Sequence, residues 1–109
     1  MEVTVSALHG TIPESLNEHA ARHAQRLDRY PLKAATLAIA FEKQSGRRAA
    51  EARLTLAGGP PLIGRGQGAT YRNALNDAIS KVERQLKRAR SRRRQLRRMT
   101  ADRATGEAD

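Results

Sequence analysis

Apolar positions in this chain recur with a period of two in the strand-like segments and with a helical period in two longer ones. Val3, Val5 and Ala7 alternate with Glu2, Thr4 and Ser6, the signature of a half-buried strand. Thr11-Ile12-Pro13-Glu14 then reads as a capping box, with Thr11 capping the amide of Glu14 and Pro13 in the first turn. The helix it opens is predicted to run to about Arg29, with Leu16, Ala20, His23, Leu27 and Tyr30 on its inward stripe and Pro31 as its stop. A second strand carries Ala35, Leu37, Ile39 and Phe41 on one face, and Gln44-Ser45-Gly46 is turn-like. A third places Ala52, Leu54 and Leu56 inward and Glu51, Arg53 and Thr55 outward, before a tight turn at Gly58-Gly59. The fourth, around Leu62 to Gln67, has the weakest pattern. Pro60 and Pro61 suit an edge, and Gly64, Gly66 and Gly68 weaken a strand.

A second helix begins near Ala69 or Thr70. Leu75, Ala78, Ile79, Val82, Leu86 and Ala89 fall within about 60° of one direction at about 100° per residue. The next position on that stripe is Arg93, so packing should end near Ala89 while the helix continues past the body of the domain. Some 28 residues would give a rod of roughly 40 Å. From residue 99 the chain turns polar and mildly acidic, which predicts a disordered tail over 99–109. The order β-α-β-β-β-α predicts a two-layer α+β domain over residues 1–98. Its four-stranded sheet has a parallel first pair, an antiparallel meander after it, and both helices on one face.

Charge changes the picture. Lys81 to Arg98 holds ten Lys or Arg and one acid, Glu83, so this segment supplies most of the chain's formal +10. Lys81, Arg84, Lys87, Arg88, Arg90, Arg92 and Arg94 lie around the sides and back of the apolar stripe. Arg88/Arg92 and Arg90/Arg94 repel at i,i+4, which a merely solvated face would avoid by mixing signs. A polyanion is therefore the expected partner, and the Arg excess favours bidentate phosphate contact. Arg22, Arg26 and Arg29 share one flank of the first helix and suggest a second basic stripe.

Other chemistry is sparse. His19 and His23 stand at i,i+4, a spacing that can hold a metal, but the sequence offers no glutamate of the protease motif, no Cys and no clear third ligand. No metal site and no cofactor are expected, and His9 has no evident partner. Gly64-Arg65-Gly66-Gln67-Gly68 lacks the Lys-Ser/Thr of a nucleotide loop. No nucleophile, base and orienting acid are grouped, so no catalytic residues and no enzymatic activity are expected. The three aromatics, Tyr30, Phe41 and Tyr71, are too few for base stacking on a sheet.

The chain's 109 residues bound a single domain, and nineteen Ala among its apolar residues leave a modest core. It has no Cys, no stretch able to span a bilayer and no basic-then-apolar start. The expected setting is the cytoplasm, away from membranes.

Three segments in order carry a resemblance. These are Ile12-Pro13-Glu14-Ser15-Leu16 through Gln25-Arg26-Leu27-Asp28-Arg29-Tyr30, then Glu51 to Gly59, then Lys81-Val82-Glu83-Arg84-Gln85-Leu86 with Arg88, Arg90, Arg92 and Arg94. Over about residues 1–95 the chain resembles the short ribosome hibernation-promoting factors, or ribosome-associated inhibitors, of the sigma-54 modulation protein family. It departs from their pattern at His23, Ala69–Ala74 and the Pro60-Pro61 pair. The resemblance implies the same β-α-β-β-β-α fold. It also implies binding in the small ribosomal subunit, between head and body, where a stalled or starved cell's decoding would be blocked. Arg26, Arg29, Lys81, Arg84, Arg88, Arg90, Arg92 and Arg94 would then contact ribosomal RNA. Long members add a dimerising domain. A short one is expected to act as a monomer and to need a separate factor for pairing ribosomes. A general double-stranded RNA or DNA chaperone, and an adaptor for an acidic protein, are the alternatives.

Overall fold

The computed structural model describes residues 1–108 apart from His9, Gly10 and Pro31; the side chains of Arg93 and of Thr100 onward also lie outside the described residues. The readings of His9, of Pro31 as a helix stop and of Arg93 on the stripe fall on these. The elements are β1 (Glu2–Ala7), α1 (Glu14–Leu27), β2 (Ala34–Gln44), β3 (Arg47–Leu56), β4 (Leu62–Gly68) and α2 (Tyr71–Ala108). They form an α+β domain of the expected order. One sheet runs β1-β2-β3-β4, with β1 parallel to β2 and the later pairs antiparallel. The bounds of α2 take in the residues whose polar composition predicts a tail.

Alternation explains the sheet's two faces. Leu37, Ile39 and Phe41 of β2 and Ala50, Ala52 and Leu54 of β3 are buried on the helix side, joined there by the half-buried Val3, Val5 and Ala7. α1 adds Leu16, Ala20, Ala24 and Leu27, and α2 adds Ala74, Leu75, Ala78, Ile79, Val82 and Leu86. These make one continuous core, with Ala89 at its rim. Beyond Ala89 every described side chain of α2 up to Met99 is at least partly exposed. The helix thus leaves the body where its apolar stripe ends, and the molecule measures 65 × 25 × 18 Å. The β2–β3 hairpin closes through Ser45 (φ 44°) and Gly46 (φ 80°), both left-handed, as a two-residue turn of this kind requires.

Four local expectations give way to other physics. Thr11 does not cap α1. The N-cap is Pro13, with no side-chain cap, and its carbonyl accepts from Leu16 N–H at 3.0 Å. With Pro13 rather than Thr11 at the cap position, no side-chain oxygen closes the first turn. α1 ends at Leu27 rather than Arg29, and a turn follows in which Tyr30 N–H donates to the Leu27 carbonyl at 3.2 Å. Ala35 is exposed, because the β2–β3 register shifts between Ala34 and Thr36 and turns Ala35 off the core face. α2 begins at Tyr71, where the Thr70 hydroxyl accepts from Asn73 N–H at 3.1 Å and caps the first turn.

The alternating glycines of β4 are a fifth difference. Gly64 and Gly66 are buried beneath α2. A Cβ on Gly64 would run into the Ala78 carbonyl and sit 3.0 Å from Val82 Cγ2. A Cβ on Gly66 would meet the Ala74 carbonyl and lie 2.8 Å from Asp77 Cβ. The missing side chains let the helix backbone lie against the strand, which outweighs their cost to strand propensity. Gly66→Ala is therefore expected to cost about 2–3 kcal/mol, the upper part of the overpacking range because backbone, not a movable side chain, is in the way. Urea unfolding checks this; a loss under about 0.5 kcal/mol would show that the seam can open freely.

Candidate nucleic-acid interface

The ten basic residues singled out by the sequence do not make one face. Helix phase divides those of α2 into three rows. Lys87, Arg90 and Arg94 look toward α1, Arg84 and Arg88 occupy the back, and Lys81 and Arg92 lie on the β4 side. Contacts agree with the phase. On the β4 side, Gln85 donates to the Ile63 carbonyl at 2.7 Å and Lys81 to the Arg65 carbonyl at 2.6 Å. Lys81 also lies 3.4 Å from Asp77, whose carboxylate accepts from Gln67 N–H. Its ammonium is thus already engaged.

On the α1 side the two helices share a charged junction. Arg26 Nε stands 3.1 Å from Glu83 Oε2, and Lys87 Nζ 3.7 Å from Glu83 Oε1. The Tyr30 hydroxyl donates to Glu83 Oε1 at 3.4 Å. The Arg90 guanidinium lies over the Tyr30 ring at 5.3 Å, and its Nε is buried without a hydrogen-bond partner among the described residues. Glu83, the one acid of the basic segment, therefore draws Arg26 and Lys87 from two helices onto one carboxylate. Each of these half-exposed ion pairs contributes little, about 0.2–1 kcal/mol. Their effect is positional, since they bring like charges to a common edge. Arg22 is exposed one turn before Arg26 on α1, and Arg29 is exposed in the turn that follows the helix. The structure thus brings Arg26, Lys87 and Arg90 to the junction, with Arg22 and Arg29 exposed nearby in sequence. Arg84, Arg88, Arg92 and Arg94 stay exposed along the rod, and Lys81 stands apart.

N-terminal to this junction, α1 and α2 meet in a polar cluster. Asn76 Oδ1 lies 2.8 Å from His19 Nε2 and 3.0 Å from His23 Nε2, and the two nitrogens are 3.2 Å apart. Burial lowers the pKa of His23 below the ordinary 6.5. Its bond to Asn76 opposes the shift, the positive fields of His19 and Arg26 add to it, and Glu83 opposes it.

Sequence comparison adds to this geometry. The family described as sigma 54 modulation protein / S30EA ribosomal protein matches residues 3–94, all of the packed body and the first part of the basic rod. The chain belongs to this family. The S30EA family is one of ribosome-associated factors, not of enzymes. No curated protein sequence matches the chain. Solved structures share the S30EA fold at low identity. A ribosomal subunit interface protein from Coxiella burnetii aligns with TM-score 0.76 at 15% identity, over 84% of this chain and 99% of that one. The N-terminal domain of Thermus thermophilus Protein Y aligns with TM-score 0.71 at 21% identity, over 81% and 98%. No helix among the described residues is long and apolar enough to cross a membrane.

Sequence reasoning named Tyr30 and Glu83 but not their roles between the helices, and it overlooked Asn76 in the neighbouring cluster. Tyr30 was assigned to the core stripe, yet it also carries Arg90 on its ring. Glu83 organises the charges around it. Asn76 supplies a third polar atom beside the two histidines. The lone acid in a basic run was the available signal for Glu83. Asn76 gave none, because its partners lie 57 and 53 residues away.

The His23 shift has a signed consequence. The folded chain holds that proton more weakly than the unfolded chain, so unfolding takes up a proton as pH falls through 6.5, and stability drops with it. His19, Arg26 and Glu83 are the charged or titratable groups facing the ring. In chelator, the Tm should fall between about pH 7.5 and about pH 5.5, and His23→Gln should flatten that slope. A parent slope no steeper than the variant's would contradict the assignment.

Proposed function

We propose that the chain binds the small ribosomal subunit through its ribosomal RNA, fills the decoding region where messenger and transfer RNA would lie, and so holds ribosomes in hibernation under stress. It works in the cytoplasm as a monomer by steric blockade, and pairing of two ribosomes falls to a separate factor. The observation that carries this reading is the single-stripe packing of α2. One narrow apolar seam fixes the helix to the sheet, and the rest of its circumference presents arginine beside the basic flank of α1. Such a rod matches a groove between RNA strands, where phosphates approach from several sides at once. Family membership supports a ribosomal partner. The subunit-interface description of the Coxiella burnetii neighbour fits a site facing the other subunit.

RNA contact is assigned to Arg22, Arg26, Arg29, Arg84, Lys87, Arg88, Arg90, Arg92 and Arg94, with Lys81 the weakest of the set because its ammonium already serves β4. Sucrose-gradient sedimentation should carry the chain with small subunits and whole ribosomes. Inhibition of translation in vitro should follow occupancy. About six to eight phosphate contacts predict a log-log salt slope between about −4 and −7. Sedimentation only at the top of the gradient at moderate salt, or a slope near −1, would overturn the reading. Random RNA duplex that competes as well as ribosomes would instead favour a general duplex-binding protein.

The rows of α2 predict unequal effects. Arg88→Ala and Arg94→Ala should each weaken ribosome binding about 3- to 10-fold and make the salt slope less negative by about 1, without changing the melting temperature. Lys81→Ala should weaken binding less than either. Equal losses for all three would show that the rows do not matter.

A further inference from the structure

The cluster of His19, His23 and Asn76 gathers three potential cation donors at the contact of two helices. Three electron-pair donors from two helices converge with mutual separations of 2.8, 3.0 and 3.2 Å. Donors sharing a cation at bonds of about 2.1 Å sit about 3.0 Å apart at right angles and about 3.4 Å apart in a tetrahedron. The observed triangle is close to the right-angled face rather than the tetrahedral one, and would put a cation about 1.2 Å above its plane. We propose that His19 Nε2, His23 Nε2 and Asn76 Oδ1 form a binding site for a borderline divalent transition cation, such as Zn2+, with water completing the sphere.

The donor set fits that class. Imidazole suits zinc, copper and nickel, so the two histidines carry the affinity and the Asn76 oxygen is the weakest of the three donors. The i,i+4 spacing on α1 presents both Nε2 atoms on one side of the helix, as helical histidine pairs that bind zinc do. Asn76 answers from α2, where it is exposed, so the outer side of the triangle is open to water and to the ion. Among the described residues no group of three His, Cys, Asp or Glu is suited to hold a metal; this site depends on the carboxamide. Each of the three separations is also within hydrogen-bond range, so the cation site competes with a hydrogen-bonded arrangement of the same atoms. The net charge of +10 works against the ion, so a modest affinity in the micromolar range is expected. Bound there, the cation would tie α1 to α2 on the side next to the Arg26–Glu83 junction. The site is independent of any reading of the partner.

The test uses the full chain, free of affinity tags and stripped of metal, titrated with Zn2+ by calorimetry and by nitrogen NMR of the imidazoles. The expected result is one saturable equivalent, with the Nε2 resonances of His19 and His23 shifting together. His19→Ala and Asn76→Ala should each weaken binding about tenfold or more at unchanged far-UV circular dichroism, and His9→Ala should leave it intact. Absence of saturable binding, an Asn76→Ala variant as tight as the parent, loss of binding in His9→Ala, or a shift at one histidine alone would each overturn the site. His19 and Asn76 lie outside the buried core, so these variants test the site without testing the fold.

Discussion

The close approach of α2 to β4 is the constraint on which the other features rest. Gly64 and Gly66 remove the side chains that would hold the helix off, and small residues, Ala74 and Ala78, meet them from the helix. A helix seated that closely needs only a narrow apolar stripe, from Ala74 to Leu86, to be fixed in place. The remainder of its surface is free to carry charge. Because the stripe ends at Ala89 while the helix does not, the most basic stretch projects beyond the core. A chain with modest apolar content thus anchors a densely cationic rod and leaves most of its charge exposed.

That arrangement has an internal cost, repulsion between arginines one turn apart. Glu83 offsets part of it locally, drawing Arg26 and Lys87 to a shared carboxylate, and Tyr30 holds Arg90 by its ring face. What is left uncompensated is the exposed run Arg84, Arg88, Arg92 and Arg94. An anionic partner relieves this repulsion on binding, so the electrostatic strain of the free protein and its affinity for phosphate have the same origin. The two contacts between α1 and α2, the Arg26–Glu83 pair and the His19–His23–Asn76 cluster, set how the basic flanks of both helices stand relative to each other.

Much of this was legible in the sequence wherever a single periodicity decided the outcome. The alternation at Val3, Val5 and Ala7, the inward set of β3, and the α2 stripe with its end at Ala89 all follow from one element meeting one core. The element order, the α+β class and the family agree with the sequence reading as well. Local rules failed where tertiary context outweighed them. A bulge turned Ala35 outward, Pro13 rather than Thr11 took the cap position of α1, and the β4 glycines served packing. The positive charge was legible, but its partition into rows depended on which flank of α2 faces α1. Asn76, Tyr30 and Glu83 acquire their roles from partners more than fifty residues away, a separation at which sequence pattern is silent.

The most direct test of the account is an electron-microscopic structure of the chain bound to purified ribosomes. The account predicts α2 lying in an RNA-lined groove of the small subunit. Arg84, Arg88, Arg92 and Arg94 should be within reach of phosphates, and the α1 flank of Arg22, Arg26 and Arg29 should line the same wall. Density for the chain held through the open face of its sheet, with α2 pointing into solvent, would contradict it.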